Sequence, residues 1–488
     1  MSIGFFTHAN NRIYDNFFGV GEWVVEVSGV GLLPGNMPDI AKYETELDTA
    51  PAQPRTDTNN LRQESITNYS RDRLLEKVPS QSGYVVLSVF GRGCWWWFTV
   101  KQHQQATNKF FNSQQCAGLV DFIKEQVPPS SWEITPVWLK APAGLRMLES
   151  SQSDAILRSV QSYLGDKANS PFLFRDSFAR IISGNEEGGF GWIAFNYLQR
   201  VIGPKRIPGV DPYAVVEMGG ASLQVSQRAP SQAEADLLPK DNKFSFSIEG
   251  ETFTLYTHSY LGFGGEQGRE ALNSLLMAEA QPNAATVSDP CLNEGFSRAA
   301  ERREVYEGVA SKVAVQGAAT SSSCPAALSR MFQTYSRTSC DNTLGPFSFG
   351  CVHQPAFVAK SSNVLLFENF YYLSSGLAVK PADGSSATTF PLVTTPAAIS
   401  DAAEAVCSKE WSSLQTAYPL DSQGKDNNVK WCFLSSYAST FLTKGLGLDP
   451  NKKVTISKNV GSSEIEWALG AAYREAAYLL QRTNLRPT

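Results

Sequence analysis

The sequence predicts a layered α/β protein, and two observations carry that expectation. From Gly83 onward, apolar runs alternate with amphipathic ones, the pattern of strands interleaved with helices. At 488 residues the chain also has room for about three domains of ~150 residues, or two larger lobes with substantial cores. Its 42% hydrophobic, 11% aromatic and 18% charged residues are those of a globular chain, which excludes a low-complexity, collagen-like or coiled-coil protein.

Residues 1–82 hold aromatic patches, a short strand-like run from Trp23 to Val27 and a polar stretch, PAQPRTDTNNLRQES, with little periodicity. This segment reads as an amino-terminal arm. The alternation then begins with YVVLSVF as a strand and AGLVDFIKEQV as a helix, followed by the strand TPVWLKA and the helix SDAILRSVQSYL. The Pro-bearing polar segments RAPSQAEADLLPKDNK and VKPADGSSATTFPLVTTPAA read as surface loops or insertions. No internal repeat is visible.

A net charge of -5 and a pI near 5.6 supply no global basic field, so any anion site must be local and no nucleic-acid partner is expected. No stretch approaches the roughly 20 apolar residues of a bilayer-spanning helix; the best, Gly19 to Gly35, is interrupted by Glu22 and Glu26. The amino terminus lacks the basic start and apolar core of a secretory signal and carries no readable address. The eight cysteines form no CxxC clamp, and His8, His103, His258 and His353 lie far apart, which argues against zinc.

Four islands carry the chemistry. In VVEMGGASLQV, Val215 to Val225, an apolar strand runs into an acidic residue and a Gly-Gly-Ala-Ser turn; such a turn lets backbone amides approach an anion, and it is equally a tight hairpin turn. In TPVWLKAPAGLRML, Thr135 to Leu148, a strand ends in a small-residue turn and Arg146 follows, where a cation could face phosphate. In SGNEEGGFGWIAFNYL, Ser183 to Leu198, Glu186 and Glu187 precede glycines; a carboxylate there can accept a proton from water, although paired glutamates are commonly solvated surface. The tail EIEWALGAAYREAAYLL opens an amphipathic helix at Trp467, for which packing is a sufficient explanation.

Taken in order, these islands resemble conserved regions two to five of the nucleoside triphosphate diphosphohydrolase (guanosine-diphosphatase/ecto-apyrase) family. The likeness extends to SYLGFGGEQGRE, DPCLNEGF, CVHQPAF, FENFYYL and CFLSSYASTFLTKGLGL, and covers about residues 83 to 475. The resemblance implies an actin-like (ribonuclease H-like) fold of two α/β lobes with a nucleotide cleft between them. Residues 83–204 with 455–488 are expected to form lobe I and residues 205–454 lobe II. It further implies Glu187 as general base, with Gly219, Gly220, Ala221 and Ser222 as a phosphate loop and Gln224 positioning the attacking water. Arg146 and Trp467 match binding positions, Glu217 matches a residue acting on a divalent cation, and Tyr371 or Tyr372 could stack on the base or simply serve the core. The pairings Cys291 with Cys324, Cys340 with Cys351 and Cys407 with Cys432 follow from the same likeness, leaving Cys94 and Cys116 unpaired. Paired thiols would suggest an oxidising compartment; against an exposed ecto-enzyme, Asn68 heads the one glycosylation sequon.

The first conserved region departs from the family. Where the family reads approximately DAGSSGT, this chain has SVFGRGC, Ser88 to Cys94, followed by Trp95, Trp96 and Trp97, so an aspartate has become Ser88 and a glycine Phe90, with Arg92 supplying charge without the loop geometry. Pro142 stands where a threonine is expected and Glu217 where an aspartate is. Losing two or three charge-assisted contacts at roughly 1.5 to 3 kcal/mol each costs about two to six powers of ten in binding or rate. The expectation is therefore an apyrase-like fold, catalytically degenerate and without its own cofactor. It would serve as an accessory subunit of a larger assembly, of which a mitochondrial energy-converting complex is one host and the secretory lumen or cell exterior the alternative setting. The competing expectation is an active nucleoside tri- or diphosphate hydrolase using magnesium or calcium with Glu187, and a third is a protein that binds nucleotide without hydrolysing it.

Overall fold

A computed structural model describes residues 113–483, except 249, 282–283, 304–309, 338–351, 353, 418–427 and 462, together with the backbone of four earlier strands. The Asn68 sequon, Arg92 and the Cys340–Cys351 pairing lie outside the described residues, as do the side chains of Ser88, Phe90, Cys94 and Trp95 to Trp97.

The chain forms two compact units. The first comprises residues 1–210, 246–253 and 459–488, the second residues 211–245 and 254–458. In the first, β1 (Asn11–Asp15), β2 (Trp23–Leu32), β3 (Ser82–Gly91), β4 (Cys94–His103), β5 (Val137–Ala141) and β6 (Ala179–Ile181) make a six-stranded sheet in the order β1-β2-β4-β3-β5-β6. The amino-terminal segment read as an arm thus supplies two strands. The segment read as the first conserved region lies on the antiparallel pair β3 and β4, with Gly91 opposite Cys94 and Phe90 opposite Trp95. Helices α1 (Ser113–Gln126) and α2 (Ser150–Gly165) place Val120, Ile123, Ile156 and Val160 in one apolar core with Val137 and Leu139 of β5.

Helix α3 (Gly184–Leu198) forms against its composition, since glycines at 184, 188, 189 and 191 each disfavour a helix by about 1 kcal/mol relative to alanine. Two things offset that cost. A reciprocal Ser183–Glu186 capping box satisfies its first amides, and the stretch from Glu187 to Asn196 is buried. The C-terminal helix Trp467–Thr483 packs on α3 so closely that a Cβ at Gly470 would lie 1.9 Å from the Phe190 carbonyl oxygen.

In the second unit β7 (Ala214–Met218) turns into β8 (Ser222–Arg228), and β9 (Lys243–Ile248) into β10 (Glu251–Leu261); α4 (Gly265–Glu279) follows. Strand β9 alternates as a half-buried strand should, with Phe244, Phe246 and Ile248 inward and Ser245 and Ser247 outward. The segment expected as a loop before β9 therefore ends in a strand, and it also carries a short helix, Gln232–Leu237. Strands β11 (Thr286–Asp289), β12 (Ser297–Arg303) and β13 (Ala310–Gly317) form a small separate sheet. Strands β14 (Val364–Glu368), β15 (Leu392–Thr394) and β16 (Val454–Ile456) complete the main sheet, in the order β15-β16-β14-β7-β8-β10-β9. Its core gathers Val216, Met218, Leu223 and Val225 with Leu366, Phe370, Tyr437 and Phe441. Two disulfides, Cys291–Cys324 and Cys407–Cys432, bind this unit as the family likeness implied, and Cys116 of α1 is a buried free thiol.

Candidate functional site

In the first unit, β5 ends at Ala141, and the short helix Ala143–Arg146 follows Pro142, whose side chain makes no cap hydrogen bond. Arg146 then donates to Glu187 Oε2 at 2.7 Å, with the two side chains 15% and 6% exposed. The contact is a charge-assisted hydrogen bond that orients the Glu187 carboxylate. Glu187 sits in the first turn of α3 and is fixed there by its neighbour. Glu186 accepts from the Ser183 amide at 3.0 Å, takes a two-pronged bond from Arg180 at 2.7 and 2.8 Å, and lies 3.5 Å from Arg474. Burial pushes the Glu186 carboxyl upward, but the Arg180 and Ser183 hydrogen bonds and the nearby positive charges outweigh it and leave its pKa below the usual range. Glu475 extends the network to the buried Lys140 at 2.8 Å. Burial lowers the Lys140 pKa, and Glu475 only partly opposes it. The adjacent glutamates are thus divided: Glu186 anchors the helix start, and Glu187 faces Arg146. Trp467 opens the C-terminal helix and is 4% exposed.

In the second unit, the Gly219–Ala221 turn between β7 and β8 has all its carbonyls engaged. Gly219 accepts from the Gly265 amide at 2.8 Å, Gly220 from Glu266 and Gln267 at 3.0 and 3.1 Å, and Ala221 from Gly262 at 2.9 Å. The first turn of α4 thereby satisfies its own free amides on the carbonyls of the loop. The approach demands glycine, because a Cβ at Gly264 would meet the Gly220 carbonyl carbon at 2.4 Å. With its carbonyls occupied, the turn offers an anion the remaining polarity of its backbone, the amides of Gly220 and Ala221.

Strand register lines up the polar side chains beyond the turn. Glu217 pairs with Gln224 and Gln224 with Ser259, so the three stand side by side on one face of β7, β8 and β10. Gln224 donates to Ser222 Oγ at 2.6 Å and to Ser259 Oγ at 3.1 Å, and Ser226 and Thr257 share a 2.7 Å bond behind them. Glu217, Ser222 and Gln224 are 7%, 3% and 2% exposed. Among the described residues nothing donates to Gln224 Oε1, a buried acceptor. No group of three or more His, Cys, Asp or Glu among the described residues is placed to hold a metal. The donors present, the Glu217 carboxylate and Gln224 Oε1, are all oxygen, which fits a hard divalent cation such as magnesium or calcium arriving with phosphate ligands of its own. Tyr371 is half-buried, lying 4.4 Å from the Phe390 ring and packed on the core, while Tyr372 is 36% exposed with Lys458 over its ring at 5.7 Å.

The geometry adds residues that the sequence reading did not single out. Ser259 and Gly264 lie in SYLGFGGEQGRE and Asn369 in FENFYYL, both motifs visible in the sequence, but their roles depend on strand register and on a backbone approach that no local pattern encodes. Lys140, Arg180 and Glu475 are far apart in sequence and meet through the parallel pairing of β5 with β6 and the packing of the C-terminal helix.

Comparison with known proteins agrees with this arrangement. The GDA1/CD39 (nucleoside phosphatase) family matches residues 102–487. The chain is 28% identical over 380 residues to probable apyrase 6 of Arabidopsis thaliana, covering 74% of this chain and 61% of that protein. It is 28% identical to the guanosine-diphosphatase of Schizosaccharomyces pombe (72% and 63% covered) and to ectonucleoside triphosphate diphosphohydrolase 2 of Mus musculus (74% and 69% covered). The match spans roughly three fifths to two thirds of the length of these relatives. In structure, the chain resembles nucleoside triphosphate hydrolases from Neospora caninum with a TM-score of 0.55 at 15% identity, covering 76% of this chain and 79% of that one; the fold is the actin-like α/β fold. The extent of the family match, which takes in residues of both units and the four islands from Thr135 to the C-terminal helix, makes this chain a member of the GDA1/CD39 nucleoside phosphatase family.

Proposed function

We propose that this chain is a catalytically degenerate nucleoside phosphatase that keeps a phosphate contact at Gly219–Ser222 and serves as an accessory subunit of a larger protein assembly. The observation that carries the reading is the contrast between the two loops. The Gly219–Ala221 turn has its full set of supporting hydrogen bonds, whereas the β3–β4 pair carries Ser88 and Phe90 where the family likeness calls for an acid and a glycine. The two disulfides support an oxidising compartment as its setting. A mitochondrial energy-converting complex is the host we put forward, and the secretory lumen the alternative.

The second reading is an active hydrolase, which would use the part-buried Arg146–Glu187 pair and the acceptor Gln224 Oε1. If bound, magnesium or calcium would neutralise charge on the phosphates. Phosphate release from nucleoside tri- and diphosphates, measured for the wild type and for Glu187→Gln, decides between them. The degenerate reading expects a background rate in both proteins, and cation-dependent turnover lost in Glu187→Gln defeats it. Native pull-down with mass analysis tests the assembly; a chain recovered alone under gentle extraction counts against it.

A further inference from the structure

We infer that Asn369 is the positioning residue that sets the Gly219–Ala221 turn for phosphate, an inference that rests on the phosphate contact proposed above. The Asn369 side-chain amide donates to the Met218 carbonyl at 2.9 Å and to the Gly219 carbonyl at 3.1 Å, the last residue of β7 and the first of the turn. Gly265, Glu266, Gln267 and Gly262 engage the turn through their backbones, so Asn369 supplies the side-chain clamp described on its carbonyls. Its place is prepared from both sides. A Cβ on Gly265 would lie 3.1 Å from Asn369 Nδ2, so glycine there leaves the amide its room. Glu368, the final residue of β14 and the register partner of Met218, holds φ +61° and ψ -121°, a conformation L residues seldom adopt, and Asn369 follows it directly.

Behind the turn, Tyr437 donates its hydroxyl to the Phe263 carbonyl at 2.8 Å and steadies the strand-to-helix link that touches Gly220. In a trans peptide the C=O and the N–H point opposite ways, so a donor that draws the Met218 and Gly219 carbonyls to one side turns the Gly219 and Gly220 amides to the other. The Ser222 carbonyl takes the Gly219 amide at 3.0 Å, which leaves the Gly220 amide to face an anion. Asn369 therefore acts on phosphate through the backbone and does not touch the ligand.

The test compares full-length wild type with Asn369→Ala, Asn369→Asp and Asn369→Ser. Asp keeps the shape and loses the donor, and Ser restores one donor. Two quantities are read: affinity for a nonhydrolysable nucleoside triphosphate by calorimetry, and amide hydrogen exchange in peptides covering residues 214–228. We expect about tenfold weaker binding and faster exchange in the Ala and Asp variants, partial recovery in Ser, and thermal midpoints close to wild type. Wild-type affinity in Asn369→Asp overturns the inference, because a space-filling role would survive that change. Faster exchange with unchanged affinity overturns it too, since the clamp would then hold nothing that the ligand reads. Absence of nucleotide binding by the wild type refutes the phosphate contact itself. Exchange alone then judges the clamp, and unchanged exchange in Asn369→Ala refutes that as well.

Discussion

Arg146 and Glu187 form the residue-level contact on which the first unit's half of the chemistry turns. Arg146→Met removes the 2.7 Å charge-assisted bond to a Glu187 side chain that is 6% exposed, and should cost about 2 kcal/mol in chemical denaturation. The double variant Arg146→Met/Glu187→Gln should recover much of that loss, which a double-mutant cycle would read as coupling between the two positions. His258 on β10 makes a second residue-scale prediction. Its Nδ1 accepts from the Asn242 side-chain amide at 2.8 Å, and burial pulls its pKa down to about 4, so the folded protein holds the ring neutral. The unfolded chain protonates it near pH 6.5. Stability from this site is therefore complete above about pH 6.5 and is lost as pH falls toward 4, by about 2 kcal/mol once its partial exposure is allowed for. Thermal midpoints of His258→Gln measured across this window should show a flatter pH dependence than wild type. The sequence singles out Glu187 through its family likeness. That its twin Glu186 is consumed depends on Arg180, six residues earlier on β6, and on Arg474, brought in by the packing of the C-terminal helix from far along the chain.

At the scale of elements, the contact between α3 and the C-terminal helix is the tightest described in the first unit. Gly470→Ala places a methyl on the Phe190 carbonyl, and separating the helices should cost about 1 to 3 kcal/mol, read as a fall in thermal midpoint. Glycine content explains what a sequence reader can and cannot see in this pair. A Gly-rich helix looks like a loop by propensity, and SGNEEGGFGWIAFNYL is recognisable through family likeness instead. Periodicity serves best where burial is one-sided, as in α1 and α2, whose patterns give both type and approximate limits, whereas β5 is buried on both faces and reads as an unbroken apolar run but for Lys140. It fails before β9, where Pro230 and Pro239 flank a short helix whose six residues are too few to show a period. Polar residues on β8 and β10 are hard to interpret for a different reason. Ser222, Gln224, Ser226 and Thr257 are buried because they hydrogen-bond along β8 and across to β10, and alternation alone would face them to solvent.

Among the described residues, covalent reinforcement is distributed unevenly. All four cysteines of the two described disulfides belong to the second unit. The bridges join residues separated by 33 and 25 positions, and loop-closure entropy assigns each about 3 to 4 kcal/mol. Reduction should therefore lower the thermal transition of the second unit by several degrees and leave the first nearly unchanged, a difference that hydrogen exchange with and without reductant would resolve by unit. The two-lobed α/β architecture is legible from motif order, but the division of the chain is less so, because a hairpin tip at residues 246–253 groups with the first unit while its strands continue the second unit's sheet.

That interleaving bears on biosynthesis. The second unit has all its residues once position 458 is synthesised, whereas the first must await residues 459–488, the helix that closes over Phe190 among them. While residues 459–488 are still unmade, a nascent chain would thus hold one unit with all its residues and one still open, and the open unit is where a chaperone would find exposed apolar surface.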